Sequence, residues 1–290
     1  MRIVILSTML TNRRGVGEWG FSALIEVDGR HLLFDTGGRP DTVLGNAEAL
    51  GLDLASVEEV ILSHGHWDHT GGLVALRARL RERNPGALSR AHVGPGFFVQ
   101  RTRNGKPFSL SEAARAEYEA LGGTFVEHRL PTELWPGVWL TGVIPRLLPE
   151  HNLPKDVVAL TPQGPSPDEV PEDLSVVLDG PEGLVVVTGC GHAGIVNTLE
   201  AASAMVHHRN VSAVVGGLHL YELDDEQLAW TGSHLRRLGV ANVLGTHCTG
   251  IEAVFQLRAS SGLDRRTCVV GAVGSSYEVG KPIDPGSLAR

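Results

Sequence analysis

Short runs of apolar and β-branched residues, separated by polar or glycine-containing turns, open the chain at residues 2–6, 21–27 and 31–34. Asp28-Gly29 is turn chemistry and predicts that the second and third runs form a hairpin. A helix is predicted at about 41–50, closed by Gly51. Val60-Ile61-Leu62 reads as a short buried strand that ends at Ser63. From Thr70 a helix is expected to about Arg83, because Leu73, Leu76 and Leu80 recur at helical spacing and Asn84-Pro85-Gly86 stops it. Residues 94–110, rich in Gly, Pro and Arg, predict an exposed loop, followed by a short helix at 111–121. Residues 145–173 are dense in proline and lack periodicity, which marks them for lining or covering a pocket.

The last third resumes the alternation. Strands are predicted at 174–179 and 184–188, with Asp179-Gly180-Pro181 between them, then at 211–216, 242–246 and 267–270. Helices are predicted at 193–208, 224–238 and 250–260. This is the pattern of an α/β protein. No fixed-period repeat and no linker interrupts it, so residues 1–290 read as one domain. Asp35, His64, Cys190, His219 and His247 all fall where strands end, the place where α/β sheets gather their sites.

Composition excludes several classes. Hydrophobic residues are 42% and charged residues 20%, with a net charge of -8. No apolar run approaches the roughly 18–20 residues that span a bilayer. The opening Met1-Arg2-Ile3-Val4-Ile5-Leu6 is short for a signal peptide and reads as a strand, so a cytoplasmic location and no membrane are expected. No basic stripe supports nucleic-acid binding; the run Arg77 to Arg83 reads as the solvated face of a helix. Cys190, Cys248 and Cys268 are odd in number and suggest no disulfide framework. Homo-oligomerisation stays open.

The chemistry concentrates in His64-Gly65-His66-Trp67-Asp68-His69. His64 and His66, two apart on a tight loop, can address one cation, while Asp68 and His69 can address a second beside it. Imidazole plus carboxylate suits Zn, Fe or Mn at a catalytic site that leaves a coordination position open.

That segment, continuing into Thr70-Gly71-Gly72, resembles the H-x-H-x-D-H signature of the metallo-β-lactamase superfamily, and Asp35 in Phe34-Asp35-Thr36-Gly37 matches its upstream aspartate. Glu18 to Ser22, Gly142 to Arg146, Thr188 to Gly194, Gly216 to Leu220 and Thr246 to Gly250 resemble one branch. That branch is typified by the archaeal dihydropterin-ribofuranosylaminobenzene-phosphate synthase and its bacterial relatives. The resemblance implies a four-layer αββα sandwich with a metal site at one edge of the paired sheets. It implies His64, His66, Asp68, His69, His192 and His247 as metal ligands. His192 replaces a histidine that Gly142-Val143-Ile144-Pro145 lacks. Cys190 stands where the superfamily has a bridging aspartate, either as a thiolate ligand or as a small buried thiol. Asp35 is expected to hold a ligand imidazole, and Asp68 and His219 are the candidate catalytic groups.

Arg146 and Glu150 are expected to face the substrate, Arg146 suiting a phosphate. His92, with Phe97 and Phe98, offers either a substrate wall or ordinary packing. His31, His128, His207, His208 and His234 read as solvated. The expected protein is therefore a hydrolase or transferase with one or two Zn, or Fe or Mn, acting on a small phosphorylated molecule. Synthase-like chemistry falls within this expectation. A metal-holding sensor and a di-iron redox protein are the alternatives, the latter disfavoured because no flavodoxin-like segment follows.

Overall fold

Most strands carry apolar residues on both faces, and a computed structural model, which describes residues 1–12, 14–150, 152–207 and 209–286, gives the reason. Among the described residues, two seven-stranded sheets lie face to face with helices outside each. From edge to edge the first sheet runs Ser276–Glu278, Arg2–Ser7, Ser22–Val27, Arg30–Phe34, Glu59–Ile61, Arg90–Val93, Thr124–Glu127. The second runs Cys268–Val270, Asn242–Gly245, Val211–Gly216, Gly183–Thr188, Val176–Gly180, Val138–Leu140, Thr132–Trp135.

Alternation along each strand divides its side chains between two cores. Ile3, Ile5, Ile25 and Phe34 face inward and meet Val176, Leu178, Val185 and Val187 of the other sheet. Val4, Leu6, Leu24 and Leu33 face outward onto Val43 and Ala47 of helix Thr42–Leu50 and Leu73, Leu76 and Leu80 of helix Leu73–Leu80. On the far side, Val177, Leu184 and Val186 pack against Ile195 and Leu199 of helix Ile195–Met205, Leu235 of helix Asp225–Arg237 and Leu257 of helix Ile251–Ser261. Three apolar interfaces thus separate four layers, the αββα sandwich. Each fully buried Leu, Ile or Val contributes about 1.5–3 kcal/mol relative to exposure.

Several expectations are corrected. The stretch 94–110 is not simply exposed: it holds strands Arg101–Arg103 and Lys106–Pro107. Strands Val157–Thr161 and Gly164–Pro167 arise within 145–173, and the four make a small third sheet. The expected Thr70–Arg83 helix is two pieces, Trp67–Thr70 and Leu73–Leu80. Arg77 is buried instead of solvated, because its guanidinium donates to the carbonyls of Pro85, Ala87 and Leu121. His128 is buried too, its Nε2 2.8 Å from His92 Nδ1. His31 and His234 are half-buried, His207 is exposed, and His208 lies outside the described residues. No described helix is long and apolar enough to cross a membrane.

Strand direction places the site. Arg30–Phe34 runs parallel to Glu59–Ile61, and Gly183–Thr188 runs parallel to Val211–Gly216 and Asn242–Gly245. The carboxyl ends of these strands deliver Asp35, His64, Cys190, His219 and His247 to one edge of the sandwich.

Candidate metal centre

Immediately after strand Glu59–Ile61 the chain turns, and His66 becomes the N-cap of the one-turn helix Trp67–Thr70. Asp68 and His69 therefore project from the first helical turn, beside the two histidines of the loop. Gly65 between them is pressed against Arg101: a Cβ there would lie 2.8 Å from the guanidinium and 2.7 Å from the Phe97 carbonyl. Gly189 is confined likewise, since its Cβ would stand 2.0 Å from Ser63 Oγ. Glycine at that strand end lets the two sheets' edges touch.

Hydrogen bonds determine which ring nitrogens carry protons. Ser63 Oγ donates to Asp35 Oδ2 at 2.7 Å, so it accepts from His64 Nδ1 at 2.9 Å. His64 Nε2 is then a bare lone pair. His66 Nε2 donates to Asp168 Oδ2 at 2.9 Å, which leaves Nδ1 bare. These two lone pairs face each other at 2.9 Å. His192 Nδ1 donates to the Asn152 carbonyl at 2.6 Å, and its Nε2 has no partner. The donor atoms of His64, His66 and His192 lie within 4.8 Å of one another.

A second group forms alongside. His69 Nδ1 donates to Asp35 Oδ2 at 2.7 Å, turning Nε2 toward Cys190 Sγ at 3.2 Å. Asp68 Oδ2 lies 3.4 Å from His247 Nε2 and 3.9 Å from His69 Nε2, while Asp68 Oδ1 has no hydrogen-bond partner. Cys190 stands between the groups, sharing one set with His64 and His69 and another with His192 and His219. Among the described residues, the buried ring nitrogens of His219 and His247 find no well-aligned hydrogen bond, His247 Nε2 having only the 3.4 Å approach of Asp68 Oδ2. Buried polar atoms of this kind cost about 1–3 kcal/mol each unless satisfied. Imidazole lone pairs, one carboxylate and a thiol, converging and unsatisfied, fit one or two divalent cations of the Zn, Fe or Mn type.

The electrostatics agree. Burial, reinforced by neighbouring imidazoles, holds His64 and His192 well below the usual histidine range, and therefore neutral. Burial would raise Asp68, but His69 and His247 outweigh it and keep the carboxyl ionised. His69 differs: burial opposes its protonation, yet Asp35 and Asp68 push it up to about 9, so a cation binding at its Nε2 would displace a proton. Asp35, His219 and His247 all adopt left-handed backbone, with φ of 55°, 48° and 47°. Non-glycine residues held there, costing about 1–3 kcal/mol each, concentrate at functional sites.

The structure brings His64, His66, Asp68, His69, Cys190, His192, His219 and His247 together, with Asp35 behind His69 and Ser63. Three sequence candidates are not brought there. His92 pairs with His128, and its Nε2 lies 3.8 Å from Glu59 Oε1. Arg146 donates to the Val170 carbonyl at 2.8 Å. Glu150 turns its carboxylate to the amino end of helix Ile195–Met205, accepting from Asn197 N at 2.9 Å. Missed by sequence reading were Ser63, Arg101, Asn152, Asp168, Glu172 and Cys248. Asp168 and Glu172 are charged residues inside a proline-dense stretch that chemistry alone would leave in solvent, and the other four carry no distinct signal.

Glu150 makes a checkable statement. Burial outweighs the helix amides and raises its pKa to about 7. Below the unfolded value near 4.5 both states are protonated. As pH rises from there to about 7, the unfolded chain releases a proton that the fold retains, so stability falls. Glu150→Gln removes that loss, on the order of 3 kcal/mol. Urea unfolding at pH 4.5 and 7.5 should therefore show a smaller difference for the variant than for the parent. Equal differences would refute it.

Comparisons with known proteins follow the same line. The family profile described as the metallo-beta-lactamase superfamily matches residues 20–204. The 7,8-dihydropterin-6-methyl-4-(beta-D-ribofuranosyl)-aminobenzene-5'-phosphate synthase of Methanocaldococcus jannaschii is 30% identical over 243 residues, 81% of this chain and 82% of that protein. The crystal structure of a metal-dependent hydrolase of the beta-lactamase superfamily is 29% identical, with a TM-score of 0.80, over 97% of this chain and all of the other. Zinc-bound PqqB from Methylobacterium extorquens, 14% identical, shares the fold with a TM-score of 0.56, over 96% of this chain and 100% of its own.

Proposed function

The chain belongs to the metallo-beta-lactamase superfamily, and on that footing we propose that it is a metal-dependent hydrolase or transferase of small phosphorylated molecules. The observation that carries this reading is the pair of imidazole lone pairs, His64 Nε2 and His66 Nδ1, facing each other at 2.9 Å with His192 Nε2 beside them. Two bare lone pairs at that distance repel unless a positive charge lies between them. His64, His66 and His192 would hold one cation, and Asp68, His69 and His247 a second, with Cys190 adjoining both.

A divalent cation there supplies Lewis-acid polarisation of a phosphoryl or carbonyl oxygen and stabilises a departing anion. The side chains do the rest. Asp68, ionised and with Oδ1 free, can accept a proton from an attacking nucleophile. His219, with both ring nitrogens unpartnered, can exchange a proton with the nucleophile or the leaving group. Its ring lies 4.5 Å from that of His192, so it addresses the same space.

The rim suits a flat substrate. Trp19, 39% exposed, lies 5.1 Å from His247 with the rings tilted by 60°, and Tyr221, 40% exposed, lies 5.4 Å from His219. Phe108 lies 5.0 Å from His66, with the Arg103 guanidinium 5.6 Å above its ring. Exposed aromatic faces beside a buried polar cluster offer stacking surfaces, and Arg103 offers a partner for phosphate. The archaeal relative's name describes a pterin joined to an aminobenzene ribofuranosyl phosphate, which has both features. Transfer between a diphosphorylated pterin and an aminoaryl ribosyl phosphate is therefore the reaction to test first.

Chelation should abolish turnover, and resupply of Zn, Fe or Mn singly should identify the working metal. Pterin transfer, phosphodiester hydrolysis and lactone hydrolysis are assayed side by side on the same preparation. A metal-loaded protein inert towards all three would favour a ligand-binding role and sink the enzymatic reading.

A further inference from the structure

Cys190 follows strand Gly183–Thr188 and Cys248 follows strand Asn242–Gly245, with one strand between them. Their side chains nevertheless meet, Sγ to Sγ, at 3.2 Å, and both are buried. The remaining cysteine, Cys268, is apart from them, its Sγ 3.5 Å from the Val254 carbonyl in the outer helical layer. All three are free thiols. A disulfide needs sulfurs at about 2.05 Å, so the pair is about 1.2 Å from bonding distance.

The pair sits inside the donor cluster. Cys190 Sγ is 3.2 Å from His69 Nε2, and Cys248 adjoins His247 in the chain. Cys248 Sγ accepts the His219 backbone N–H at 3.3 Å. Drawing the sulfurs together takes Cys190 from His69 and loosens the anchor of His219. Both His219 and His247 stand in left-handed backbone, and Cys248 directly follows His247 in the chain.

We propose that Cys190 and Cys248 form a reversible oxidation site whose disulfide disables the metal centre. With a peroxide as oxidant, one thiol attacks the O–O bond, giving a sulfenic acid and one water. The second sulfur displaces the sulfenic oxygen, which leaves with the remaining thiol proton as a second water. Two S–H bonds and one O–O bond break, one S–S bond forms, and two electrons pass from sulfur to peroxide. A dithiol reverses the bond by exchange. The disabling consequence rests on the metal-site reading above; the disulfide itself does not.

The test uses metal-loaded protein exposed to hydrogen peroxide, then denatured for thiol counting, with released cation read by a chelating dye. Free thiols should fall from three to one as cation appears, and dithiothreitol should restore all three. Peptide mapping should join Cys190 to Cys248 and leave Cys268 free. Cys190→Ser and Cys248→Ser should each form no intramolecular disulfide under the same treatment, the remaining member of the pair going no further than a sulfenic acid that dithiothreitol reduces. A count that stays at three in metal-loaded and metal-depleted protein overturns the proposal, as does a bond involving Cys268. A disulfide that forms while the bound cation stays in place overturns the disabling role. Thiol counting works in protein that holds no cation, so failure of the metal reading is seen separately, by metal analysis before oxidation.

Discussion

Asp68→Asn is expected to lower kcat/KM about 10³-fold while leaving the fold intact. Cation and carboxylate together stabilise developing charge by several kcal/mol, and about 1.4 kcal/mol corresponds to each factor of ten. Asp68 is suited to that role because its Oδ1 has no partner, while Oδ2 lies between His247 and His69 at 3.4 and 3.9 Å. Asparagine keeps the volume and removes the charge, so packing is held constant. His64, His66 and His192 lose nothing in this variant. The bound metal of the purified variant should therefore fall at the Asp68–His69–His247 position and persist at the three-histidine position. Metal analysis and kcat/KM on the same sample read both effects. A variant within tenfold of the parent, carrying the same metal content, would remove Asp68 from the working site.

The residues that converge here differ in how far the sequence betrays them. His64 to His69 are contiguous, so their spacing is itself geometric information, and their convergence could be read from the chain. His219 and His247 were legible as polar residues at strand ends, and His192 and His247 as ligands only through the family resemblance; the parallel pairing of their strands is what aligns them. Asp168 and Glu172 carried no such signal. They meet His66 and Gly65 across 102 and 107 residues, through the small third sheet that composition had presented as loop. Short polar strands such as Arg101–Arg103 and Gly164–Pro167 lack apolar alternation, because they are held by backbone pairing and buried ion pairs. Fold class was the easier inference: doubly buried strands leave long apolar runs, and amphipathic helices between them can only lie outside the sheets. Arg146 and Glu150 show the opposite error. Their charge suggested substrate, but Arg146 satisfies a carbonyl of the irregular stretch and Glu150 the Asn197 amide at the start of helix Ile195–Met205.

Arg101→Met should destabilise the protein by about 3–5 kcal/mol at neutral pH, the usual consequence of stranding buried charge. The Arg101 side chain is 1% exposed. Its Nε donates to Asp168 Oδ2 at 2.8 Å, and its Nη2 lies 2.7 Å from the Glu172 carboxylate. Methionine fills much of the volume but leaves two buried carboxylates facing each other without a cation. In the parent, burial works against ionised Asp168, but His66 and Arg101 overcome it and hold the carboxyl down to about 2. Its contribution is therefore present above the unfolded value near 3.8 and is lost only as pH falls through about 2. Without Arg101 that protection goes, and the stranded pair takes up protons at mild acidity. The variant's deficit should accordingly shrink between pH 7 and pH 5, while the parent's Asp168 stays ionised. Urea unfolding of metal-free protein at the two pH values reads this directly; a deficit under 1 kcal/mol at pH 7, or one independent of pH, would refute it. The same substitution also reaches the metal. Asp168 orients His66 through Nε2, and removing such outer partners costs about 10–100-fold in metal affinity. Glu172, which accepts the Gly65 N–H at 3.1 Å, fixes the loop between His64 and His66. Arg101 thus holds, through two carboxylates, both the ring and the backbone on which the facing lone pairs depend. Loss of stability and loss of metal affinity should therefore appear together in Arg101→Met. In Asp168→Asn, which keeps Arg101 and Glu172 paired, the loss of affinity should dominate.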